Sequence, residues 1–382
     1  MEFLARLSAG TVPLAALCRE YGISRKTAYK WKHRADTGDS LSDRSRRPKT
    51  RPNATPAEVV SEILAIRSAH PGIGGGKISI MLKRRGVEGA PAGSTVTDIL
   101  RRHDMLDKRA TAEARHYVRF SKENPNDMWQ VDFKGHFPLA NGERCHQLNM
   151  VDDCSRYAIA SVPVTQETFA AVKPPFEDAF RTYGLPETLL CDNGNPWGVN
   201  FRGISVFEVW AMSLGVLVIH GRPLHPQTQG KEERFNKTWK REVLERLGPR
   251  PDILDVLSES ETFRDFYNFE RPHFGIGGRI PGDLYRKSPR PFPESIPEWT
   301  YPRDMELSYV DSNGYTRIRG VRTYIGEAFG SRSLGFRESR SHEGCVHLFF
   351  REFRIGRLNL KDRRLETLRA YRIEGDPRMP AK

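Results

Sequence analysis

The sequence predicts a multidomain protein with N-terminal all-α modules, a central α/β core and a C-terminal small β-barrel. Apolar residues recur at helical spacing in residues 4–108, strand and helix patterns alternate in residues 127–247, and short β-type segments follow a proline-rich stretch. We expect the boundaries to be 1–36 and 55–110 for the helical modules, 37–54 for a linker, 111–285 for the core, 286–302 for a second linker and 303–382 for the last domain.

The composition restricts the class of protein. The 382 residues carry 61 Lys and Arg against 48 Asp and Glu, a formal charge of +13 and a pI near 9.6. This basic balance points to a polyanionic partner, and nucleic acid is favoured over a membrane because no basic amphipathic anchor is present. No apolar run approaches the roughly 20 residues of a membrane span, and the N-terminus lacks a secretory signal, so we expect a cytosolic protein.

The five cysteines are scattered and include no Cys-x-x-Cys pair. An odd number without paired spacing argues against a disulfide framework and against a zinc site. Reduced thiols in the core are the expectation.

Residues 4–35 have the pattern of a helix-turn-helix. Gly22 breaks a first apolar helix, and Ser24 is placed to cap a second one whose apolar face carries Ala28 and Trp31. The second helix also carries five basic residues: Arg25, Lys26, Lys30, Lys32 and Arg34. A recognition helix uses its first residues to reach base edges and flanking cations to neutralise phosphate. Any small helical hairpin can show the same pattern, so DNA binding and a plain basic surface both stay open on these residues alone.

The segment from Thr37 to Asn53 is poor in apolar residues and rich in helix breakers, which is typical of a linker. Its cations are Arg44, Arg46, Arg47, Lys49 and Arg51. They can follow a phosphate backbone or lie in a minor groove, as basic arms do, or the segment can be a solvated tether.

Helical patterning resumes at residues 55–108. Thr55 and Pro56 form a start signal, and Val59, Ile63 and Ile66 fall on one face. A glycine-rich turn at 72–76 separates this helix from two more, and we predict a second helical DNA-binding module. The glycine run is not a phosphate-binding loop, because no strand precedes it and no Gly-Lys-Ser/Thr follows it.

The core pattern begins with a strand at 128–133 that places Asp132 on the face opposite Val131 and Phe133. Further strands are predicted at 145–151, 157–164, 188–191 and 216–219, with helices at 169–183 and 206–214. This order indicates a mixed sheet covered by helices, in which sites gather at strand ends. Asp192 lies directly after one of the predicted strands.

An unbroken helix is predicted from Lys231 to Leu247, with Glu232 and Glu233 in its first turn. The helix dipole favours carboxylates there, which is the simplest explanation of the pair. The apolar stripe of this helix consists of Phe235, Trp239, Val243 and Leu247. Glu232 lies nearer to the stripe than Glu233 does, so spacing alone slightly favours Glu232 as a functional residue.

Four fragments occur together in one order: Trp129-Gln130-Val131-Asp132, Val151-Asp152-Asp153-Cys154-Ser155-Arg156, Cys191-Asp192-Asn193-Gly194, and the stretch from His225 to Asn236. In this order they resemble the integrase core of bacterial insertion-sequence transposases, which are related to retroviral integrases. Residues 193–232 separate the second aspartate from Glu233, close to the spacing that defines the Asp-Asp-Glu group. Asn268, Arg271-Pro272-His273 and Pro281 extend the resemblance to about residue 285.

The resemblance implies a ribonuclease H-like fold in which Asp132, Asp192 and Glu233 are catalytic and hold two Mg²⁺ or Mn²⁺ ions. It implies 3′-end cleavage of transposon ends and strand transfer into target DNA by a homo-oligomer bound to double-stranded DNA. The alignment of Gly230-x-x-Glu233 selects Glu233 over its neighbour. Lys237 and Lys240 follow on its face, where they either hold DNA phosphates or form an exposed helix surface.

Other polar residues of the core have weaker roles in this interpretation. Asp152 and Asp153 belong to a strand and turn segment rather than to the triad. His225 and Asn193 are expected to shape the pocket. Residues 195–198 are expected to form a mobile loop, in which Trp197 either stacks on an unpaired base or packs in the core.

The last domain is predicted to follow prolines 289, 291, 293, 297 and 302. Strands are expected at 315–318, 321–325, 346–350 and 354–360, closing into the small barrel. Its arginines would form a basic outer face for DNA or another subunit: Arg317, Arg319, Arg322, Arg337, Arg340, Arg351, Arg354 and Arg357.

Two other functions compete with the transposase. One is a DNA-binding regulator or structural remnant that has lost chemistry, and the other is a simple ribonuclease H-like nuclease. The three carboxylates argue against the first, and the two N-terminal modules are not explained by the second.

Overall fold

A computed structural model describes residues 2–42, 54–106, 121–198, 203–221, 230–366 and 368–372. The chain forms two compact units, Met1–Thr55 and Pro56–Lys382. The linker cations Arg44, Arg46, Arg47, Lys49 and Arg51, and His225 of the core, lie outside the described residues. In the described ranges, no helix has the length and apolar character needed to cross a membrane.

The first unit contains three helices: α1 (Glu2–Ser8), α2 (Leu14–Glu20) and α3 (Arg25–Asp36). The predicted cap is confirmed, because the Ser24 hydroxyl accepts a hydrogen bond from the Thr27 amide at 3.1 Å. Four of the predicted recognition-helix cations are exposed: Arg25, Lys26, Lys30 and Lys32. Arg34 differs from them, because it is only 6% exposed and its guanidinium lies over the Trp31 ring. It therefore braces the helix instead of facing solvent.

The second unit begins with three helices: α4 (Ala57–Ala69), α5 (Gly75–Arg84) and α6 (Gly93–Arg102). Val59, Ile63 and Ile66 are buried, as predicted. Two glycines allow α5 and α6 to approach closely. A Cβ on Gly75 would lie 2.3 Å from the Thr97 hydroxyl, and one on Gly93 would lie 2.7 Å from the backbone of α5.

The core sheet has five strands in the order β3-β2-β1-β4-β5. They are β1 (Trp129–Pro138), β2 (Arg144–Asp152), β3 (Ala158–Val164), β4 (Thr188–Cys191) and β5 (Leu217–His220). The first three pair antiparallel, and β4 and β5 run parallel to β1. The mixed sheet predicted from the alternating pattern is therefore present.

Helices cover both faces of this sheet. On one face, α7 (Phe169–Tyr183) and α8 (Val206–Ser213) pack through Phe176, Phe180 and Phe207. On the other face, Phe235, Trp239 and Val243 pack together with apolar residues of β1–β3 and of α11 (Ile253–Phe269).

The helix predicted over residues 231–247 is interrupted. It consists of α9 (Gly230–Trp239), a π turn at Lys240–Leu244 and α10 (Glu245–Leu247). Apolar residues that recur every four positions do not stay on one face of an α-helix, because the helix has 3.6 residues per turn. A wider turn after Trp239 compensates for this change of face, and Val243 stays buried at 1% exposure. The short helix α12 (Pro281–Leu284) follows α11.

The predicted small barrel is wrong. The C-terminal strands are β6 (Glu306–Tyr309), β7 (Tyr315–Ile318), β8 (Val321–Tyr324), β9 (Ser333–Glu338), β10 (Cys345–Phe350), β11 (Phe353–Asn359), β12 (Arg364–Leu365) and β13 (Tyr371–Arg372). Within the described residues, six of them form an open sheet, and β7 and β8 form a separate hairpin. The apolar residues of the sheet pack against Val209 and Met212 of α8. Packing on the core replaces the enclosed interior of a barrel.

Several arginines of this domain are engaged within the chain, which reduces the predicted basic face. Arg319 pairs with Glu306 and Glu338, and Arg357 pairs with Glu366. Arg351 donates to the Pro297 carbonyl at 2.6 Å. The arginines of the predicted face that are exposed are Arg317, Arg322, Arg340 and the ion-paired Arg319.

The close crossing of α5 and α6 gives a stability prediction. We expect Gly75→Ala to lower the free energy of unfolding by about 1–3 kcal/mol, because its methyl group would overlap Thr97 and the Gly93 carbonyl. Chemical denaturation of the full chain measures this change.

Gly74→Ser is the matched control. Gly74 caps α5 in an extended conformation with nothing within 4 Å of an added Cβ, and serine is a preferred cap. Equal losses of stability in the two variants would contradict the close-approach explanation.

Candidate active site

The candidate site is a cleft of about 460 Å³ beside β1 and α9. Its lining consists of Asp132, Phe133, Lys134, Gly135, Glu233, Asn236 and Lys237. Two of the three carboxylates predicted from the sequence therefore line one cavity.

Asp192 is brought to Asp132 by strand register. β1 and β4 are parallel neighbours in which Trp129 pairs with Leu189 and Gln130 with Leu190. Continued by two residues, this register sets Asp132 beside Asp192, which follows the last residue of β4. The pairing of the short strand at 188–191 with β1 therefore determines the position of the second aspartate.

Electrostatics shows that the two aspartates interact. Burial, and after it the negative charge of Asp192, raise the pKa of Asp132 to about 6. Hydrogen bonds from the Phe133 amide and the Asn236 side chain oppose this rise. Two carboxylates held together in this way are an arrangement that a bound cation would stabilise.

The orientation of Asp132 is fixed by a chain of side-chain hydrogen bonds through the core. Asn236, only 5% exposed, donates from Nδ2 to Oδ2 of Asp132 at 2.9 Å. Its own oxygen accepts from Nδ2 of Asn149 at 2.6 Å, and Oδ1 of Asn149 accepts from the Ser161 hydroxyl at 2.7 Å. The sequence prediction missed Asn236. The feature that could have identified Asn236 is its position one turn after Glu233, on the side of α9 that faces the sheet.

Asp192 is held mainly through its backbone. Its Oδ1 accepts from the Gly194 amide at 2.9 Å, and its carbonyl lies 2.7 Å from Nδ1 of His220, at the end of β5. Nε2 of His220 lies 3.2 Å from Glu208. Burial lowers the pKa of His220, but hydrogen bonds with Glu208 and the Asp192 carbonyl outweigh that effect and raise it overall. His220 was also missed: it directly follows the strand predicted at 216–219, and in the structure it ends β5, where it pairs with Cys191.

The two adjacent glutamates have different environments. Glu233 is exposed at the rim of the cleft, and its carboxylate pairs with Nζ of Lys237 at 2.7 Å. Lys237 therefore lies on the face of Glu233, as predicted, and Lys240 is exposed in the π turn. Glu232 is 1% exposed, and among the described residues neither of its carboxylate oxygens has a hydrogen-bond partner. Burial, followed by the charges of Asp132 and Asp192, raises the pKa of Glu232 well above its usual range.

The start of α9 is attached to the end of β2 by an ion pair. Nζ of Lys231 lies 2.5 Å from Oδ1 of Asp153, which also accepts from Nε2 of Gln130 at 2.5 Å. Asp152 accepts from the amide and the hydroxyl of Ser155 at 2.8 and 2.6 Å. Both aspartates are thus buried structural groups, in agreement with their assignment outside the triad.

The loop after β4 is packed, and Trp197 is a core residue. Its side chain is fully buried against Phe133 and Phe207, with ring centroids 5.5 and 4.8 Å apart. The base-stacking alternative for this tryptophan is not supported in this conformation. Asn193 donates from Nδ2 to the Gly221 carbonyl at 3.1 Å and so shapes the loop.

The three predicted carboxylates do not form a finished ligand set. In the part of the chain that the structure describes, no three His, Cys, Asp or Glu side chains are grouped closely enough to hold a metal ion. The structure brings Asp132 and Asp192 together and leaves Glu233 at the cleft rim, paired with Lys237.

Comparisons with known protein families agree with this geometry. Two profiles described as "Integrase core domain" match residues 122–226 and 214–281. These ranges contain both aspartates, α9 and α11. A "Homeodomain-like domain" matches residues 27–100, and a "Helix-turn-helix domain" matches residues 2–49.

Among curated proteins, the chain is similar to the transposase InsD of insertion elements IS2A/D/F/H/I/K from Escherichia coli. The two are 26% identical over 234 residues, which is 57% of this chain and 74% of the relative. The InsD transposase of IS2 on the F plasmid of strain K12 matches with the same identity and coverage.

Two solved structures are also similar in part. The HTLV-2 integrase catalytic core domain in complex with magnesium is 19% identical with a TM-score of 0.34, covering 43% of this chain and 98% of that one. The simian T-cell lymphotropic virus intasome in complex with a PP2A regulatory subunit is 15% identical with a TM-score of 0.38, covering 81% and 99%. The family matches and the curated relatives together support an insertion-sequence transposase with an integrase-type catalytic core.

Proposed function

We propose that this transposase binds the terminal repeats of its element and catalyses metal-dependent 3′-end cleavage and strand transfer with Asp132, Asp192 and Glu233. The observation that supports this most is the proximity of Asp132, inside β1, to Asp192, which follows the end of the parallel neighbour β4. Helix α9, with two glutamates in its first turn, contacts Asp132 through Asn236. Burying two like charges together is unfavourable for the protein alone. Such a pair is retained most readily where it holds a cation.

The residues fit Mg²⁺ or Mn²⁺, because hard cations prefer oxygen ligands and carboxylates supply them. Asp132, Asp192 and Glu233 would hold the metal, with Glu233 leaving its partner Lys237 to do so. When two ions are bound, they activate the attacking oxygen and stabilise the leaving oxygen of a phosphodiester.

The chain's own residues position the reacting groups. Asn236 donates to one oxygen of Asp132 and so holds this carboxylate at the cleft that it lines. His220 fixes the backbone of Asp192. Lys237, once released from Glu233, offers its ammonium group to a phosphate at the rim of the cleft.

The chemistry consists of two ester exchanges. Water attacks a phosphodiester at the transposon end, a phosphorus–oxygen bond forms as another breaks, and the departing strand carries a 3′ hydroxyl. That hydroxyl then attacks a phosphodiester of target DNA and displaces a second 3′ oxygen. Each step replaces one phosphorus–oxygen bond by another, so neither ATP nor a covalent protein intermediate is needed.

Two adjacent glutamates, Glu232 and Glu233, are candidates for the third metal ligand. The register with the integrase core supports Glu233, and the position of Glu233 on the cleft lining agrees with it. Among the described residues, the two buried carboxylate oxygens of Glu232 have no hydrogen-bond partner. Because a bound cation would satisfy such oxygens, this observation favours Glu232 as the third ligand. We assign the ligand to Glu233 and treat Glu232 as the competing candidate.

The partner in this proposal is double-stranded DNA, supplied as transposon ends and target. The exposed cations of α3 and the helical module α4–α6, which the homeodomain-like profile reaches, support DNA binding. Joining two ends to one target requires at least two active sites, so we infer a homo-oligomer acting on cytosolic DNA.

A strand-transfer assay with labelled element ends and Mg²⁺ or Mn²⁺ tests the activity. We expect Asp132→Asn and Asp192→Asn to lower product formation by about a thousandfold or more, because several kcal/mol of metal-dependent stabilisation would be lost. Joined products must appear, since nicks alone would indicate a nuclease. An inactive wild type, or an Asp192→Asn variant as active as wild type, would sink the proposal and leave a DNA-binding remnant.

The two glutamates are separated in the same assay by Glu233→Gln and Glu232→Gln. We expect the first to abolish joining and the second to retain it, because burial raises the pKa of Glu232 and an uncharged glutamine of the same shape suits that site. Loss of activity only in Glu232→Gln would transfer the ligand role to that residue.

The aspartate pair gives a pH prediction for the metal-free protein. The pKa of Asp132 is about 6, and the charge of Asp192 contributes to this rise. We therefore expect Asp192→Asn to lower the pKa of Asp132, while Asn236→Ala raises it by removing a hydrogen bond to the charged form.

Carboxyl ¹³C chemical shifts followed through a pH titration measure both changes. Asp283→Asn is the control, because that aspartate pairs with Arg84 outside the cleft. An unchanged pKa of Asp132 in the Asp192→Asn variant would contradict the predicted proximity of the two aspartates.

A further inference from the structure

A second group of buried polar atoms lies where the helical module α4–α6 meets the core. Glu242 of the π turn accepts a hydrogen bond from the Gly72 amide at 2.9 Å and lies 3.3 Å from Nδ1 of His70. The His70 ring stacks on Phe266 of α11 at 3.4 Å. The module is therefore packed directly against α11 and the π turn.

Arg271 lies in this junction without a counterion. It lies two residues after Phe269, the last residue of α11, and is only 6% exposed. Within the described part of the chain, its Nε and Nη1 find no hydrogen-bond acceptor and no carboxylate lies at ion-pair distance. Leaving a guanidinium buried in this state is costly, because such groups are normally paired.

Two further groups face the same place. Lys77, in the first turn of α5, lies over the Phe274 ring at 5.9 Å, and a Cβ on the adjacent Gly76 would be 3.1 Å from that ring. In the described part of the chain, the buried Nε2 of His273, two residues after Arg271, also has no hydrogen-bond partner. The N-cap of the ten-residue α5, Gly74, supplies no side-chain hydrogen bond, and Lys77 lies in the first turn, at the positive end of the helix dipole.

The charges in this junction are almost all positive. Burial, then the charges of Arg271 and Arg234, lower the pKa of Lys77 to about 7. Burial, then Lys77 and Arg271, lower the pKa of His273 well below its usual range. The one carboxylate that acts on Lys77 and Arg271 is Glu242, and it is already engaged by Gly72 and His70.

We propose that Lys77, Arg271 and His273 form an anion pocket that binds a backbone phosphodiester of DNA lying across the junction of the helical module and the core. A phosphate accepts hydrogen bonds from a guanidinium fork, an ammonium group and a helix N-terminus. The nearby Arg234 adjoins Glu233, so the pocket continues the cationic surface of α9 toward the helical module. This inference rests on the proposed DNA partner and adds a contact to it.

The first measurement is the melting temperature of the full chain without DNA or divalent metal. We expect Arg271→Met to melt at the same or a higher temperature than wild type, because it removes an uncompensated buried charge. An arginine whose role was to hold the fold would give the opposite sign.

The second measurement is the salt dependence of binding to a random-sequence DNA duplex. Loss of one phosphate contact lowers the slope of log K against log salt by about 0.9, whatever the sequence. We expect this loss in Arg271→Met and Lys77→Met. Lys83→Met is the control, because it removes the same charge from an exposed position later in α5.

The outcomes are distinct. Unchanged slopes in both pocket variants, or an equal loss in the Lys83 control, overturn the proposal. A further test adds sodium phosphate at fixed ionic strength. If phosphate raises the melting temperature of the wild type but not of the variants, and the DNA slopes are unchanged, the pocket binds a free anion. That result overturns the assignment to DNA. Because binding is measured without divalent metal, failure of strand transfer leaves this result standing.

Discussion

The strand pairing of the core holds two aspartates side by side in spite of their mutual repulsion, and the candidate site is built around this pair. Parallel register between β1 and β4 determines their proximity, and the surrounding polar residues prevent them from moving apart. Asn236, Asn149 and Ser161 fix one carboxylate through the core, and His220 fixes the backbone of the other. A site built in this way is unfavourable when it is empty of cations and becomes favourable when they bind, which is the requirement for a preorganised phosphoryl-transfer centre.

Helix α9 links this site to the rest of the molecule. Lys231 attaches its first turn to Asp153, and Asn236 contacts Asp132 one turn later. The π turn then directs Glu242 away from the sheet and toward Gly72 of the helical module. One continuous helical segment thus carries the candidate ligand, the residue that orients Asp132, and the anchor of the module. A displacement of the module on DNA would be transmitted along this segment to the carboxylates of the candidate site.

The sequence predicted the elements whose patterns are local. The bounds of α7 and β4 agree with their predictions, because an amphipathic helix and a short apolar strand are visible in residue spacing. The aspartates were found because the motifs around them resemble a family. Asn236 and His220 were missed because their roles come from contacts with β1 and β4, which are distant in sequence. The barrel was wrong for a related reason: strand patterns do not tell whether an apolar face closes on itself or packs on α8.

The choice between Glu232 and Glu233 shows how the site and the anion pocket depend on each other. In this conformation Glu233 is neutralised by Lys237, while Glu232 faces the aspartates. A phosphate at the cleft rim would compete with Glu233 for Lys237 and free that carboxylate. The same DNA strand, if it continued across Arg234 to Lys77 and Arg271, would compensate the positive charges of the junction. DNA binding would then supply the counterions for both ends of α9, so the assembled ligand set is expected only in the complex with DNA and metal.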